Sequence, residues 1–285
     1  MHKMFPSLAS LALLVVAGVA GATGAEPCRY SAPRNVDLDA TALRSLLLNL
    51  GATDAHVRGV AGQSRIEVRG TACASNPQWL DDLRIDASGS GPEATVTVRT
   101  GDHDSSFNPS GHSRYAYIKL FVSVPPQLAV AINSASGDVV AESLASLDYR
   151  SGSGDLKAHE ITGALTVELA SGDVDARGVG SLELRNSSSG DVTASDVRGD
   201  VRAGHVGSGD LHFSDVRGGV SIESVGSGDL RLKHIGGNVR VGGVGSGDVV
   251  VDDVAGNLRV DATGSGDVSY RGIKGTVHVP SRDED

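Results

Sequence analysis

From Val139 onward, apolar side chains recur with a fixed cadence. A Val or Leu follows each Ser-Gly-Asp, at Val139, Leu156, Val174, Val192, Leu211, Leu230, Val249 and Val268. Two residues later comes a second column: Ala141, Ala158, Ala176, Ala194, Phe213, Leu232, Val251 and Tyr270. Three residues after that comes a third: Leu144, Ile161, Val179, Val197, Val216, Ile235, Val254 and Ile273. In most copies a glycine and a further alternating pair follow, such as Val220 with Ile222 or Val239 with Val241, and polar residues fill the gaps. Alternation at period two predicts strands with one buried face, two per copy. The marker residues Asp138, Asp155, Asp173, Asp191, Asp210, Asp229, Asp248 and Asp267 stand 17 to 19 positions apart. A single copy buries almost nothing, but stacked copies align their apolar positions into internal columns. The expected fold class is all-β, a parallel β-solenoid with about 19 residues per coil, right-handed by the crossover rule. Dense glycine and β-branched residues at period two disfavour helix.

The chain divides by pattern. Residues 136–280 carry the regular Ser-Gly-Asp repeat; residues 26–135 are expected to form divergent coils and a cap. "DAHVRGVAG" (Asp54 to Gly62) matches "DLHFSDVRG" (Asp210 to Gly218), so residues 51–70 are read as a coil with "RIEVRG" as its second strand. Residues 41–50 fit two readings. One is a strand through Leu46, Leu48 and Leu50; the other is an amphipathic helix through Leu43, Leu46, Leu47 and Leu50, stopped by Gly51. Ala94 to Arg99, Ile118 to Val124 and Leu128 to Ile132 alternate as strands, and "GDHDSSFNPSGHSR" between Gly101 and Arg114 reads as a polar loop. Trp79 is expected in a core or end-cap role. The tail 281–285 is charged, which deters end-to-end growth at a sheet edge.

Composition narrows the setting. Residues 1–25 combine a short basic lead, an apolar run and small residues before Ala25, which predicts a secretory signal and no transmembrane segment in the mature chain. The chain has 35 Asp and Glu against 25 Lys and Arg, which argues against nucleic acid or anionic lipid as the main partner. Two cysteines in an exported chain predict one disulfide, Cys28 to Cys73, tying the N-terminus to the body. The nine His are scattered without ligand spacing to Cys or a carboxylate, so no metal or cofactor site is predicted.

In Gly-Ser-Gly-Asp the glycine is expected to supply positive φ for a tight corner, and the aspartate to bond a nearby backbone N–H as an Asx-turn. Stacked coils place these aspartates ~4.8 Å apart, where unit charges repel by roughly 1 kcal/mol in water. A solvated turn ladder tolerates that. The alternative is a calcium ladder through Asp191, Asp210, Asp229, Asp248 and Asp267, in the manner of calcium-binding β-rolls. Against it, the second turn, as in Val216-Arg217-Gly218-Gly219, lacks the matching Asp in most copies. Carboxylate proximity is weak evidence for glycosidase chemistry, because a ladder guarantees it. Arg202, Arg240 and Arg259 read as a solvated face rather than a site for acidic sugars.

A signal sequence, "HVRGVAGQSRIEVRGTACAS", "VPPQLAVAINSASGDV" and serial "GSGDV" units together resemble the bacterial β-strand-repeat "putative adhesin" family, a domain of unknown function. The resemblance spans about residues 35 to 280. It implies an exported or surface β-helical protein, with some relatives linked to cell-envelope stress responses. The family defines no catalytic residues, so none is assigned. The expectation is a non-enzymatic binding or scaffold module in the periplasm or at the cell surface. Its partner would be an unidentified envelope component, protein or polysaccharide. A polysaccharide lyase or hydrolase on a β-helix and a calcium-stabilised roll are the alternatives.

Overall fold

The computed structural model describes residues 28–101 and 114–280. The expected signal sequence, most of the polar loop and the charged tail lie outside them. Seven strands precede the regular repeats: β1 (Tyr30–Asp39), β2 (Ser45–Gly51), β3 (Ala55–Gly59), β4 (Arg65–Ala74), β5 (Arg84–Ser90), β6 (Glu93–Arg99) and β7 (Ala116–Val124). A 3-10 turn at Pro77–Asp82 separates β4 from β5. The repeats begin with β8 (Ala129–Ser134), β9 (Val139–Glu142), β10 (Ser146–Ser151), β11 (Leu156–His159), β12 (Ala164–Leu169) and β13 (Val174–Arg177). They continue with β14 (Ser181–Ser187), β15 (Val192–Val197), β16 (Val201–Val206), β17 (Leu211–Val216), β18 (Val220–Val225) and β19 (Leu230–Ile235). They end with β20 (Val239–Val244), β21 (Val249–Val254), β22 (Leu258–Thr263), β23 (Val268–Ile273) and β24 (Val277–His278).

Among the described residues these strands form two sheets of twelve. Odd strands from β9 to β23 stack in one sheet and even strands from β8 to β24 in the other, and from β10 onward each is parallel to the strand two earlier in the chain. A coil therefore contributes one strand to each sheet, and the chain is a parallel β-solenoid. The register is the predicted one: Val216 lies beside Ile235, and Ile235 beside Val254. The third column is buried with the first two because the strand changes phase. Ser143, Glu160, Asp196, Asp215, His234 and Asp253 adopt left-handed backbone conformations with φ between 54° and 58°. That reversal inserts one extra residue before the next inward side chain, so inward positions step by two and then by three. Each inward aliphatic residue contributes about 1.5–3 kcal/mol when fully buried.

The glycines of the repeat act differently from the expectation. In the Gly of Ser-Gly-Asp, only Gly172 and Gly190 have positive φ. The constraint on the others is stacking distance. A Cβ on Gly209, Gly228, Gly247 or Gly266 would lie 1.8–1.9 Å from the carbonyl oxygen of the matching glycine one coil below. The first glycine is bound the same way, with a Cβ on Gly226 falling 2.4 Å from the Gly207 oxygen. Gly-Ser-Gly-Asp recurs because backbone packs on backbone at that corner.

The first part follows a different order in space. β2 and β3 form the coil beneath β8 and β9, and β6 and β7 form the coil beneath that, all in parallel. The outermost layer is antiparallel: β4 pairs with β7 and β1, and β5 pairs with β6. Residues 45–51 are thus a strand, and the helix reading fails. Leu46, Leu48 and Leu50 are fully buried while Leu47 faces outward between them. "RIEVRG" is a strand, β4, but it is not the second strand of a parallel coil. A short link through Gly62, at φ +78°, reverses the chain and returns it antiparallel within the same sheet. Trp79 sits on the 3-10 turn, partly buried against the core, with the Arg114 guanidinium 5.2 Å from its ring centroid. The disulfide Cys28–Cys73 joins the residue stretch before β1 to β4, its Cα atoms 5.5 Å apart.

At the other end, among the described residues, no coil covers β23 and β24. Tyr270, which the pattern placed in a buried column, is 49% exposed for that reason. Among the described residues no helix is long and apolar enough to cross a membrane.

Candidate functional site

The aspartates stack as predicted, and their hydrogen bonds explain why they are tolerated. The backbone N–H of Asp229 donates to Asp210 Oδ1 at 2.8 Å, that of Asp248 to Asp229 Oδ1 at 3.0 Å, and that of Asp267 to Asp248 Oδ1 at 2.9 Å. The same bond links Asp155, Asp173, Asp191 and Asp210 to the coil beneath. Asp54 extends the ladder into the irregular part by accepting from the Asp138 amide at 3.0 Å. The bond runs between coils rather than within a local Asx-turn. One oxygen of each of these acceptors is committed to holding adjacent coils in register, and charge-assisted bonds of this kind contribute about 1.5–3 kcal/mol each.

A second ladder was missed in the sequence. Asp200 accepts from the Gly219 amide, Asn238 from Asn257 and Asn257 from Thr276, each at 2.8–2.9 Å. These positions lie nine residues beyond the Ser-Gly-Asp aspartates, a half-repeat hidden because its acceptor alternates among Asp, Asn and other residues. Among the described residues no group of three or more His, Cys, Asp or Glu is arranged to hold a metal ion. Arg202, Arg240 and Arg259 face outward and are paired, Arg202 with Asp200 at 3.1 Å and the other two with Asp261.

The left-handed corner column is where side chains converge. Asp and His tolerate positive φ better than bulky or β-branched residues. His234 Nδ1 lies 3.0 Å from Asp215 Oδ1, and its Nε2 lies 3.5 Å from Asp253 Oδ2. Arg198 reaches back along the column and donates to the carbonyls of Ile161, Thr162 and Gly178. Asp196, Asp215, His234 and Asp253, together with Arg198, Arg217 and Lys274, line a groove of about 750 Å³. A second groove of about 520 Å³ meets the first at Gly178 and Asp196 and continues to Arg58. There Glu142 is held by His56 at 3.0 Å, and Glu160 accepts from the Ser143 hydroxyl at 2.9 Å. One open trough therefore follows the corner across the coils. Its floor is the buried third column, and its walls are exposed charged side chains.

A hydrogen bond from Arg69 holds the Asp37 carboxyl below its usual range, and the Thr41 hydroxyl and amide do the same for Asp39. Burial pushes the Tyr149 phenol up, and its hydroxyl donates to the Gly154 carbonyl at 3.1 Å inside the solenoid.

Solved structures to which this chain is similar include a "putative lipid binding protein" from Parabacteroides distasonis ATCC 8503, 12% identical, with TM-score 0.44 over 86% of this chain and 96% of that one. A "putative adhesin" from the same organism is 15% identical, with TM-score 0.41 over 87% and 96%. A "putative adhesin" from Bacteroides fragilis NCTC 9343 is 12% identical, with TM-score 0.38 over 90% and 99%. At this level of overlap they assign nothing to the present chain. No curated protein matches it. The Toastrack DUF4097 family model matches residues 32–199, which include the antiparallel cap, the out-of-order coils and the first regular repeats. The chain belongs to the Toastrack DUF4097 family.

Proposed function

We propose that the protein is an exported, non-enzymatic β-solenoid that works as a binding or scaffold module at the cell envelope, in the periplasm or on the surface. The observation that carries this reading is the trough along the left-handed corner. It is open and runs over successive coils, and its charged walls recur with the repeat instead of converging on one point. Catalytic carboxylates are tuned by burial or by unequal environments, whereas Asp215 and Asp253 are 54% and 59% exposed. The disulfide supports an oxidising compartment.

Crosslinking in intact cells, followed by envelope fractionation, tests the reading. One envelope component should travel with the protein, and Arg217→Glu with Lys274→Glu should reduce its recovery. A protein that crosslinks to nothing, or that releases product from pectin, alginate or peptidoglycan, would overturn it.

A further inference from the structure

The outer face of the sheet containing β3, β7 and β9 adjoins the second groove, and its register aligns two transverse rows. One row is Phe121, His56, Val140 and Lys157, on β7, β3, β9 and β11. The other is Arg58, Glu142, His159 and Arg177, on β3, β9, β11 and β13. Strands step ~4.8 Å apart, so Arg58 and Arg177 stand about 14 Å apart across the patch.

Three features single out this patch. Phe121 is 57% exposed, with the His56 ring 6.0 Å away. Among the described residues no carboxylate lies within 4.0 Å of the charged nitrogens of Arg58, Lys157 or Arg177. On the opposite face, by contrast, Arg202, Arg240 and Arg259 are all paired. Of the carboxylates at the patch, Glu142 is held by His56 and Glu160 accepts from the Ser143 hydroxyl, while Asp175 continues the first row beyond Lys157 and Asp196 lines the cleft. A cleft of about 520 Å³ lies between Arg58 and Arg177. The chain is acidic overall, yet this face offers an aromatic ring, an apolar neighbour and cations without carboxylate partners.

We infer that this patch binds an acidic polysaccharide. This rests on the binding-module reading and names the partner for the β3–β13 end of the trough. An arginine fork grips a carboxylate through two parallel hydrogen bonds, and Arg58 and Arg177 are spaced to hold acidic groups on separate sugar units of one chain. The face of Phe121 takes the apolar side of a sugar ring, and Lys157 lies at the end of the same row. The regular strand register suits an extended polymer lying across the coils.

The test is calorimetric titration of the mature protein with hexagalacturonate, with cellohexaose as the uncharged probe. Hexagalacturonate should bind and cellohexaose should not, and the affinity should fall as salt rises. Arg58→Gln with Arg177→Gln should weaken binding by about tenfold or more, and Phe121→Ser should weaken it too. Arg202→Gln, which removes a cation from the opposite face, should leave it unchanged. Equal binding of both oligosaccharides, no binding of hexagalacturonate, equal loss in Arg202→Gln, or tighter binding to anionic lipid vesicles would each overturn the inference. Envelope capture that survives Arg58→Gln with Arg177→Gln would sink this assignment while leaving the binding-module reading intact.

Discussion

Between Ser146 and Ile273 each strand lies on the strand two earlier in the chain, whereas between Tyr30 and Val124 the neighbours are out of order. There β7 lies between β4 and β3, and β2 lies between β6 and β8. Both regions use period-two strands with an aliphatic inner face. They differ in their links. The regular corners press glycine backbone onto the carbonyl of the coil beneath, so the chain can rise only one layer at a time. The early link through Gly62 has open space around it and turns the chain back. The reversal yields a layer that ends the solenoid: antiparallel β1, β4 and β5 with the 3-10 turn close one end, while the other leaves Tyr270 exposed. Closing an end and repeating a coil need opposite link chemistry.

The largest expected effect separates the two kinds of link. Gly228→Ala places a Cβ 1.9 Å from the Gly209 oxygen and should cost more than about 4 kcal/mol in urea unfolding, at the extreme of single substitutions. Gly62→Ala meets no atom within 4 Å and should cost only the left-handed penalty, about 1–2 kcal/mol. Equal costs would show that stacking is not what selects glycine in the repeat.

Next is the disulfide. Replacing Cys28 and Cys73 by Ser opens a link across 45 positions, and the chain-entropy model puts its contribution at about 4 kcal/mol. Amide exchange should speed up in β1 and β4 and stay unchanged in β17 to β21. A uniform loss across the solenoid would mean that the cap and coils unfold as one unit.

Asp229→Ala removes the acceptor of the Asp248 amide and should cost about 1–3 kcal/mol, with faster exchange at that amide. Asp229→Asn keeps an acceptor oxygen and should cost much less. If both cost the same, the negative charge matters and the hydrogen bond does not.

The smallest effect is a pH dependence in the cap. Asp37 has a folded pKa below its ordinary 3.8 because Arg69 donates to it. Its stabilisation is therefore present above about pH 4 and is lost as pH falls through the lower folded value. An NMR titration should find the Asp37 midpoint below 3.8, and Arg69→Gln should return it to the ordinary range.

Much of this was legible in the residues. The three columns after each Ser-Gly-Asp fall inside in every coil but the last, and Val216, Ile235 and Val254 stack in the order the spacing required. The strand at Leu46 to Leu50 was one of two open readings, since leucines at 43, 46, 47 and 50 also fit one helical face, and only pairing with β8 and β6 selects the strand. The Asn and Asp of the second ladder were not seen because Gly219 interrupts their column. The cationic patch was invisible for a stronger reason. Phe121, His56, Lys157 and Arg177 belong to four different strands, and their adjacency depends on β7 and β3 being neighbours out of chain order.

Amino-acid order alone determined which side chains point inward, the length of a coil, and the turn where the Ser-Gly-Asp aspartates stack, because alternation and repeat length are local properties of a strand and its turn. Tertiary structure decided the layer order, the closed end and which cations share a face. A strand carries the same alternation whether its neighbour is parallel or antiparallel, earlier or later in the chain, so only the packed links could choose between them.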